Sequence, residues 1–241
     1  MRSLRVAFGL LTTLTFRLPD ELQPGESGRA APWYPVVGLV IGCLVWLAWR
    51  MAASFFAPLV AGALALGVWI SLTGGLHLDG LTDCCDGMFV AADPARRLEI
   101  MKDPRLGTFG GVGLVLTLLL KASLLSSLTI SSSPAILLAA VLARWCILPA
   151  GLLPLARPTG MGADFAAGLQ RRALWLGAIL PLGISLALGL QGVLALMSGL
   201  LAAAGALALA KSRLGGVTGD VFGCVVEVVE VVVLLSFAWV G

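Results

Sequence analysis

Residues 74–89 read GGLHLDGLTDCCDGMF and place three carboxylates, Asp79, Asp83 and Asp86, directly after a long apolar segment. On an α-helix each residue advances by about 100°, so offsets of four and seven residues put these side chains within an arc of roughly 60°. Like charges on one helix stripe repel one another, and a bound cation removes that repulsion. Carboxylate oxygens are ligands that suit Mg²⁺ or Mn²⁺. The pattern favours a metal site over an exposed helix end with solvated aspartates.

The composition indicates a membrane protein. Of the 241 residues, 59% are hydrophobic and 12% are charged, and the mean hydropathy is +1.01. Such a chain cannot cover itself with polar surface, so most of its surroundings are expected to be lipid. The net charge of +3 is too small and too scattered for a basic face that binds nucleic acid. The first apolar run is not followed by a small-residue cleavage site, which argues against a signal peptide.

Hydropathy predicts an all-α fold, a polytopic integral membrane helix bundle that residues 1–241 form as a single domain. A short helix lying at the membrane interface is expected at residues 3–16, with a linker rich in proline, glycine and charge after it. About seven membrane-spanning helices should follow, each near the length that a bilayer needs. They are predicted at about residues 36–53, 59–76, 110–128, 135–153, 173–190, 193–210 and 221–240.

The distribution of basic residues predicts which segments face the cytoplasm. With a cytoplasmic N-terminus, all sixteen Lys and Arg residues fall in cytoplasmic segments except Arg50, Lys121 and Arg144, which lie within spans. The outer connections contain no Lys or Arg. The cytoplasmic segments are predicted at about residues 1–35, 77–109, 154–172 and 211–220. This map places the three aspartates of residues 74–89 on the cytoplasmic face.

A second cluster of polar residues follows the aspartates. Residues 93–105 are typical of a short cytoplasmic helix that ends before Pro104, and the run LGTFGG then enters the next span. A glycine-rich helix entry offers free backbone N–H groups and a positive dipole end, which suit phosphate. Lys102 and Arg105 flank this entry as clamps for phosphate oxygens. The alternative is that both cations only contact lipid headgroups at the membrane edge.

A third cluster lies near the C-terminus, where residues 215–220 read GGVTGD and Glu227 and Glu230 follow inside the last span. Carboxylates at membrane depth are costly and seldom lack a role. Two interpretations of Glu230 stay open: pairing with a cation of another span, or contact with metal or substrate. Asp220 has no evident partner at the cytoplasmic edge. Since that edge also carries the three aspartates, the first and last clusters are expected to build one site.

Taken together, these residues resemble the cobalamin synthase family, the adenosylcobinamide-GDP ribazoletransferases. The run HLDGLTDCCDG at residues 77–87 is similar to the family's central motif. Pro104 and Phe109 stand where Ser and His are expected in some relatives, and neither departure affects a residue with an assigned role. The other matching runs are FRLP at 16–19, YPVVG at 34–38, EIMKDPRLGT at 99–108, and GVTGD at 216–220 with Glu227.

The resemblance implies a Mg²⁺-dependent phosphotransferase that joins adenosylcobinamide-GDP to α-ribazole, or to its 5′-phosphate, and releases GMP. It implies a place in the cytoplasmic (inner) membrane of a prokaryote, contact with membrane lipid, and an active site facing the cytoplasm; a homo-oligomer is compatible with it. The residues assigned to metal are Asp79, Asp83, Asp86 and Asp220. Asp86 and Asp83 are assigned as catalytic residues, with Asp86 either sharing the metal or taking the proton of the attacking hydroxyl. The residues assigned to substrate are His77, Lys102, Asp103, Arg105, Gly107, Thr218 and Glu227.

Two other functions share parts of the pattern. Membrane phosphotransferases that use CDP-alcohols also place aspartates at a membrane edge, but their Asp-Gly-x-x-Ala-Arg pattern is absent from the sequence. A secondary transporter would use intramembrane acids to relay ions, but such acids lie near the bilayer midplane on broken helices of two related halves. Here most acids are predicted at one membrane edge, which favours the transferase.

Overall fold

The computed structural model describes residues 1–14 and 22–238, and these two ranges form helices without any strand. The motif FRLP at residues 16–19 lies outside them. In the described ranges the helices are α1 (Arg2–Leu11), α2 (Glu26–Arg29), α3 (Tyr34–Ala52), α4 (Pro58–Thr73), α5 (Leu76–Phe89), α6 (Pro94–Ile100), α7 (Thr108–Ser127), α8 (Ala135–Ala150), α9 (Met161–Gly168), α10 (Arg171–Ala187), α11 (Gly189–Leu214) and α12 (Gly219–Phe237), with a 3₁₀ turn at Ala31–Trp33.

Proline and glycine set the ends of α4. Pro58 opens the helix, where its missing N–H costs nothing because the first N–H groups of a helix have no intrahelical partner. Gly74 and Gly75 follow the helix with φ of 62° and 73°, a left-handed conformation that glycine adopts without a Cβ clash. This double turn lets α5 leave α4 at an angle of 91°. The aspartates of α5 therefore do not continue the path of α4.

Helices α8 and α12 form the centre of the bundle, and nearly every side chain of α8 is buried. Small residues allow the close packing of α3 on α8. A Cβ on Gly38 would lie 2.5 Å from the carbonyl oxygen of Ala140, and one on Gly42 would lie 3.0 Å from the Cα of Leu137. Glycines four residues apart on one helix face are a common device for close helix contact in membranes.

Three helical segments of the described ranges are long and apolar enough to cross a membrane: Ala31–Ala52, Thr108–Ser127 and Gly189–Leu214. A fourth is counted if α4 and α5 form one bent span. Their outer faces expose large apolar side chains, among them Leu119 and Leu201, as lipid-facing helices do. The fold is thus all-α and has the character of a membrane protein, while seven spans are not confirmed.

The predicted spans each correspond to one helix, namely α3, α4, α7, α8, α10, α11 and α12, within a few residues at most ends. The N-terminal helix differs from the prediction of residues 3–16, because α1 ends at Leu11. Thr12 has an extended backbone, and the N–H of Thr13 donates to the carbonyl oxygen of Leu72 at 2.8 Å. Val6 and three other side chains of α1 are buried, so this helix packs on the bundle.

Candidate active site at the start of α12

Helices α5 and α12 touch through glycine. A Cβ on Gly80 would lie 2.7 Å from the carbonyl oxygen of Asp220, and one on Gly223 would lie 3.2 Å from that of His77. Any larger residue at position 80 would push the two helices apart, because the atom it meets belongs to the backbone. The contact brings the acids of α5 to the first turn of α12, so the first and last polar clusters meet as the sequence predicts.

Asp79 and Asp83 are the acids of α5 whose carboxylates make no hydrogen bond within residues 1–14 and 22–238. Burial, together with the negative charges of Asp220 and Asp79, raises the pKa of the half-buried Asp83 to about 7. Asp79, Asp83 and Asp220 together offer three carboxylates that repel one another, and carboxylate oxygens are ligands that Mg²⁺ prefers. In the described ranges no three acidic, His or Cys side chains already stand close enough to hold a metal ion.

Asp220 has a partner that the sequence analysis missed. Arg157 donates from Nη1 to the Asp220 carboxylate at 2.9 Å and from Nη2 to the carbonyl oxygen of Leu98, also at 2.9 Å. The expectation that Asp220 lacks a partner is therefore wrong. Thr218 caps α12 by accepting from the Val221 N–H at 3.3 Å, and its hydroxyl donates to Asp220 at 3.2 Å.

The position of Arg157 depends on backbone pairing between distant segments. The N–H of Val217 donates to the carbonyl oxygen of Pro154 at 2.8 Å, and that of Ala156 donates to Val217 at 2.9 Å. These bonds hold the segment before Arg157 against the start of α12. In the sequence, Arg157 counts only as one of the cytoplasmic charges. Because Arg157 and Asp220 are 63 residues apart, no local sequence pattern indicates that they pair. The one available signal is a cation next to Pro158 in the predicted cytoplasmic segment of residues 154–172.

Asp86 lies at the entry of α7, where phosphate was expected. Its two carboxylate oxygens accept from the N–H groups of Gly107 and Gly110, each at 2.8 Å. A Cβ at Gly107 would approach the Asp86 carboxylate to 2.2 Å, and one at Gly110 to 2.3 Å, so both glycines are needed for this contact. A carboxylate is stabilised at a helix N-terminus by the free N–H groups and the dipole. In this structure Asp86 fixes α5 to α7.

The predicted phosphate clamps lie in the loop before α7. Asp103 accepts from Arg105 through Nη2 at 2.6 Å, and this ion pair lowers the pKa of Asp103 to about 2. Arg105 is 87% exposed, and Lys102 is exposed as well. A cavity of about 240 Å³ lies between this loop and α6, lined by Asp86, Asp103, Arg105 and Gly107 among others. The loop thus carries two exposed cationic side chains, of which Arg105 lines the cavity.

Glu227 and Glu230 lie in a buried ionic network within the bundle. Lys121 donates to Glu227 at 2.8 Å and also pairs with Glu230, which in turn pairs with Arg144. The ammonium group of Lys121 stands 4.7 Å from the ring centroid of Trp69. Of the two interpretations left open for Glu230, the structure shows the ion pair. Glu227, predicted to contact substrate, has its carboxylate engaged by Lys121.

A second, larger cavity adjoins the acids. We call it the α5–α12 cavity; it has a volume of about 360 Å³ and lies between α1, α5, α9 and α12. Asp79 and Asp220 belong to its wall, as does His77, which is 3% exposed. Volumes of this size suit small-molecule ligands. The acids therefore border a mostly apolar cavity in which a ligand could reach them.

The acidic site lies beside an apolar cavity at one end of a bundle of apolar helices. These features define the class of protein: a membrane-type helical protein with a polar site for reaction or binding. The chain belongs to the family described as cobalamin-5-phosphate synthase, whose sequence model matches residues 3–238. This confirms both the resemblance to that family and the prediction that the chain is a transferase.

Relatives named adenosylcobinamide-GDP ribazoletransferase cover the chain almost completely. The protein of Stutzerimonas stutzeri is 44% identical over 242 residues, which span 99% of this chain and 98% of the relative. The protein of Desulfitobacterium hafniense is 37% identical over 244 residues, with 98% and 96% covered. That of Deinococcus radiodurans is 37% identical, with 99% and 86% covered. No solved structure matches this chain.

Proposed function

We propose that this chain is a membrane-bound, Mg²⁺-dependent phosphotransferase that joins adenosylcobinamide-GDP to α-ribazole, or to its 5′-phosphate, and releases GMP. The observation that carries the proposal is the contact of Gly80 with Asp220, which places acids of α5 and α12 on one wall of the α5–α12 cavity. The names of the relatives supply the two substrates.

Asp79, Asp83 and Asp220 are the residues proposed to hold Mg²⁺. The first two have carboxylates without a hydrogen-bond donor in the described part of the chain, and Arg157 and Thr218 orient the third. Bound Mg²⁺ would neutralise charge on the pyrophosphate of the corrinoid substrate. Because no three acids are already placed for a metal, rotation of these side chains accompanies binding.

The proposed reaction is a displacement at phosphorus. A hydroxyl oxygen of the ribazole attacks the corrinoid-linked phosphate, a new P–O bond forms, and the P–O bond to GMP breaks. The hydroxyl proton passes to a carboxylate, for which we choose Asp83, since Asp86 is already engaged at the start of α7. Phosphoryl transfer needs little covalent work from protein, so positioning and charge supply most of the catalysis.

Phosphate contacts are assigned to Lys102 and Arg105. The helix entry at Gly107 has its N–H groups directed at Asp86, so we place phosphate oxygens on the exposed side chains of the loop. A guanidinium group can hold a phosphate through two parallel hydrogen bonds, and Arg105 already holds Asp103 in that manner. Phosphate would replace Asp103 as the partner of Arg105.

The function is tested by GMP release from purified full-length protein in detergent. With adenosylcobinamide-GDP, α-ribazole and Mg²⁺ present, we expect GMP and an adenosylated cobalamin product in equal amounts, and no GMP after chelation of Mg²⁺. Release of CMP from a CDP-alcohol instead would assign the chain to another phosphotransferase class. Substrate uptake by reconstituted vesicles without any nucleotide release would support a transporter and overturn the proposal.

We also propose that α3, α4, α7, α8, α10, α11 and α12 all cross the cytoplasmic membrane of a prokaryote, with the acids on the cytoplasmic face. Single cysteines test this orientation in a Cys43→Ser background, which removes the exposed native thiol. An impermeant maleimide on intact spheroplasts should label Ser131→Cys and spare Ala95→Cys until the membrane is opened. Both positions are exposed, so labelling of Ala95→Cys from outside would reverse the orientation.

A further inference from the structure

The wall of the α5–α12 cavity contains a row of aromatic side chains. Tyr34 stacks on Phe165 with ring centroids 5.5 Å apart, and Phe165 meets Phe222 edge to face at 5.6 Å. Aliphatic side chains also line the cavity, with Leu10 and Met161 among its members. Such a surface suits a flat aromatic ligand, because aromatic contacts add to the free energy gained by burying apolar area.

One buried nitrogen in this wall has no partner. His77 is 3% exposed, and its Nε2 makes no hydrogen bond to any described residue. Asp164, another polar residue of the wall, is already engaged by the Gly25 N–H and the Ser27 hydroxyl. A buried polar atom without a partner costs free energy, so the imidazole of His77 is expected to turn and gain a hydrogen bond when a ligand fills the cavity.

We infer that the α5–α12 cavity binds the benzimidazole base of the ribazole substrate. The base is apolar except for one free ring nitrogen, which accepts from the imidazole N–H of His77 once that ring has turned toward the cavity. The ribose then lies at the rim of the cavity beside Asp79 and Asp220. Its hydroxyl is there one helical turn from Asp83, the proposed proton acceptor. This inference rests on the proposed function and assigns one of its two substrates to one site.

The other parts of the substrates match this cavity less well. Guanine presents an amide and an amino group, which need several hydrogen-bond partners. Of the polar side chains in the wall, Ser27 and Asp164 bond to each other and Gln23 is exposed. Asp79 and Asp220 are assigned to Mg²⁺, which leaves His77. A corrin ring with its substituents is far larger than a cavity of about 360 Å³. The corrinoid substrate therefore approaches the acids from outside the cavity, with its pyrophosphate toward the loop of Lys102 and Arg105.

The first experiment fills the cavity with a larger side chain. Leu10→Trp should raise the KM for α-ribazole at least about tenfold and leave the KM for adenosylcobinamide-GDP within about twofold of the unchanged protein. Leu186→Trp is the matched control, since Leu186 is exposed on α10 and does not line the cavity. A selective rise in the KM for adenosylcobinamide-GDP would assign the cavity to the corrinoid substrate and overturn the inference.

A second measurement does not depend on turnover or on a bulky residue. Met161 is exposed at the cavity rim, so Met161→Cys in the Cys43→Ser background should react with a maleimide. Saturating α-ribazole should slow this reaction at least about tenfold, while GDP should not; protein without the Met161 substitution gives the background. Unchanged reactivity would overturn the inference. If the unchanged protein released no GMP, the proposed function would fail, while protection by α-ribazole would still support the cavity as a site for the base.

Discussion

Asp83→Asn is expected to lower Mg²⁺-dependent GMP release at least about a hundredfold while leaving the apparent unfolding temperature in detergent unchanged. The substitution keeps the shape of the side chain and removes the charge that we propose to hold the metal. Metal-assisted charge stabilisation supplies several kcal/mol, and each 1.4 kcal/mol is about a tenfold change in rate. Folding should tolerate the change, because the Asp83 carboxylate makes no hydrogen bond within the described ranges and its neighbours Asp79 and Asp220 repel it.

The matched control is Asp93→Asn. Asp93 is the N-cap of α6, where it accepts from the Arg96 N–H at 2.9 Å, and Asn caps a helix about as well as Asp. Activity should therefore stay near that of the unchanged protein. Asp220→Asn should also reduce activity, and the double variant with Asp83→Asn should lose little more, because both residues would serve one metal ion. Undiminished turnover by Asp83→Asn would remove this residue from the metal site.

Much of the fold could be predicted from the sequence because long apolar runs separated by polar, glycine-rich or proline-rich connections leave few alternatives to helices. The runs at residues 110–128 and 135–153 became α7 and α8 with small shifts at their ends. The meeting of α5 with α12 was also predictable, because positive charges placed Asp83 and Asp220 at the same end of the bundle. The close contact itself depends on Gly80 of α5 and Gly223 of α12. The sequence alone does not show that these two glycines lie opposite each other.

The partners of individual acids could not be predicted, because each belongs to a distant segment. Helical spacing puts Asp86 on the same stripe as Asp83, yet the N–H groups of Gly107 and Gly110 take its carboxylate. Arg157 pairs with Asp220 because residues 154–157 are held against Val217 by backbone hydrogen bonds. In both cases the sequence shows that a carboxylate lies at the cytoplasmic end of the predicted bundle. Which hydrogen-bond donor that carboxylate accepts from depends on how the helices pack.

The network around Lys121 is a buried cluster of ion pairs within the bundle. Its four side chains, Lys121, Arg144, Glu227 and Glu230, are all buried and carry two charges of each sign. They join α7, α8 and α12, the last two of which form the centre of the bundle. In an apolar interior such charges are tolerated only when paired, and removing one partner leaves an uncompensated charge. Substitutions in this network therefore show how much its ion pairs contribute to the stability of the bundle.

Lys121→Met is expected to destabilise the protein strongly, because it leaves Glu227 without its ion-pair partner and Glu230 with Arg144 alone. Breaking a buried pair in this way costs about 3–5 kcal/mol, which corresponds to a fall of at least about 6 °C in the apparent unfolding temperature for a chain of this size. Thermal unfolding of the purified protein in detergent measures the effect. Lys211→Met is the control, since Lys211 is exposed at the end of α11 and should shift the temperature little.

The double variant Lys121→Met/Glu227→Gln distinguishes loss of charge balance from loss of packing. It removes one charge of each sign and leaves the pair of Arg144 with Glu230. If the uncompensated charge causes the destabilisation, the double variant should recover more than half of the lost unfolding temperature, a clear departure from additivity. A double variant less stable than Lys121→Met would instead show that the Lys121 side chain stabilises mainly through its packing and its contact with Trp69. Because Glu227→Gln keeps the size of the side chain, recovery would also show that no charge at position 227 is needed to hold α7 against α12.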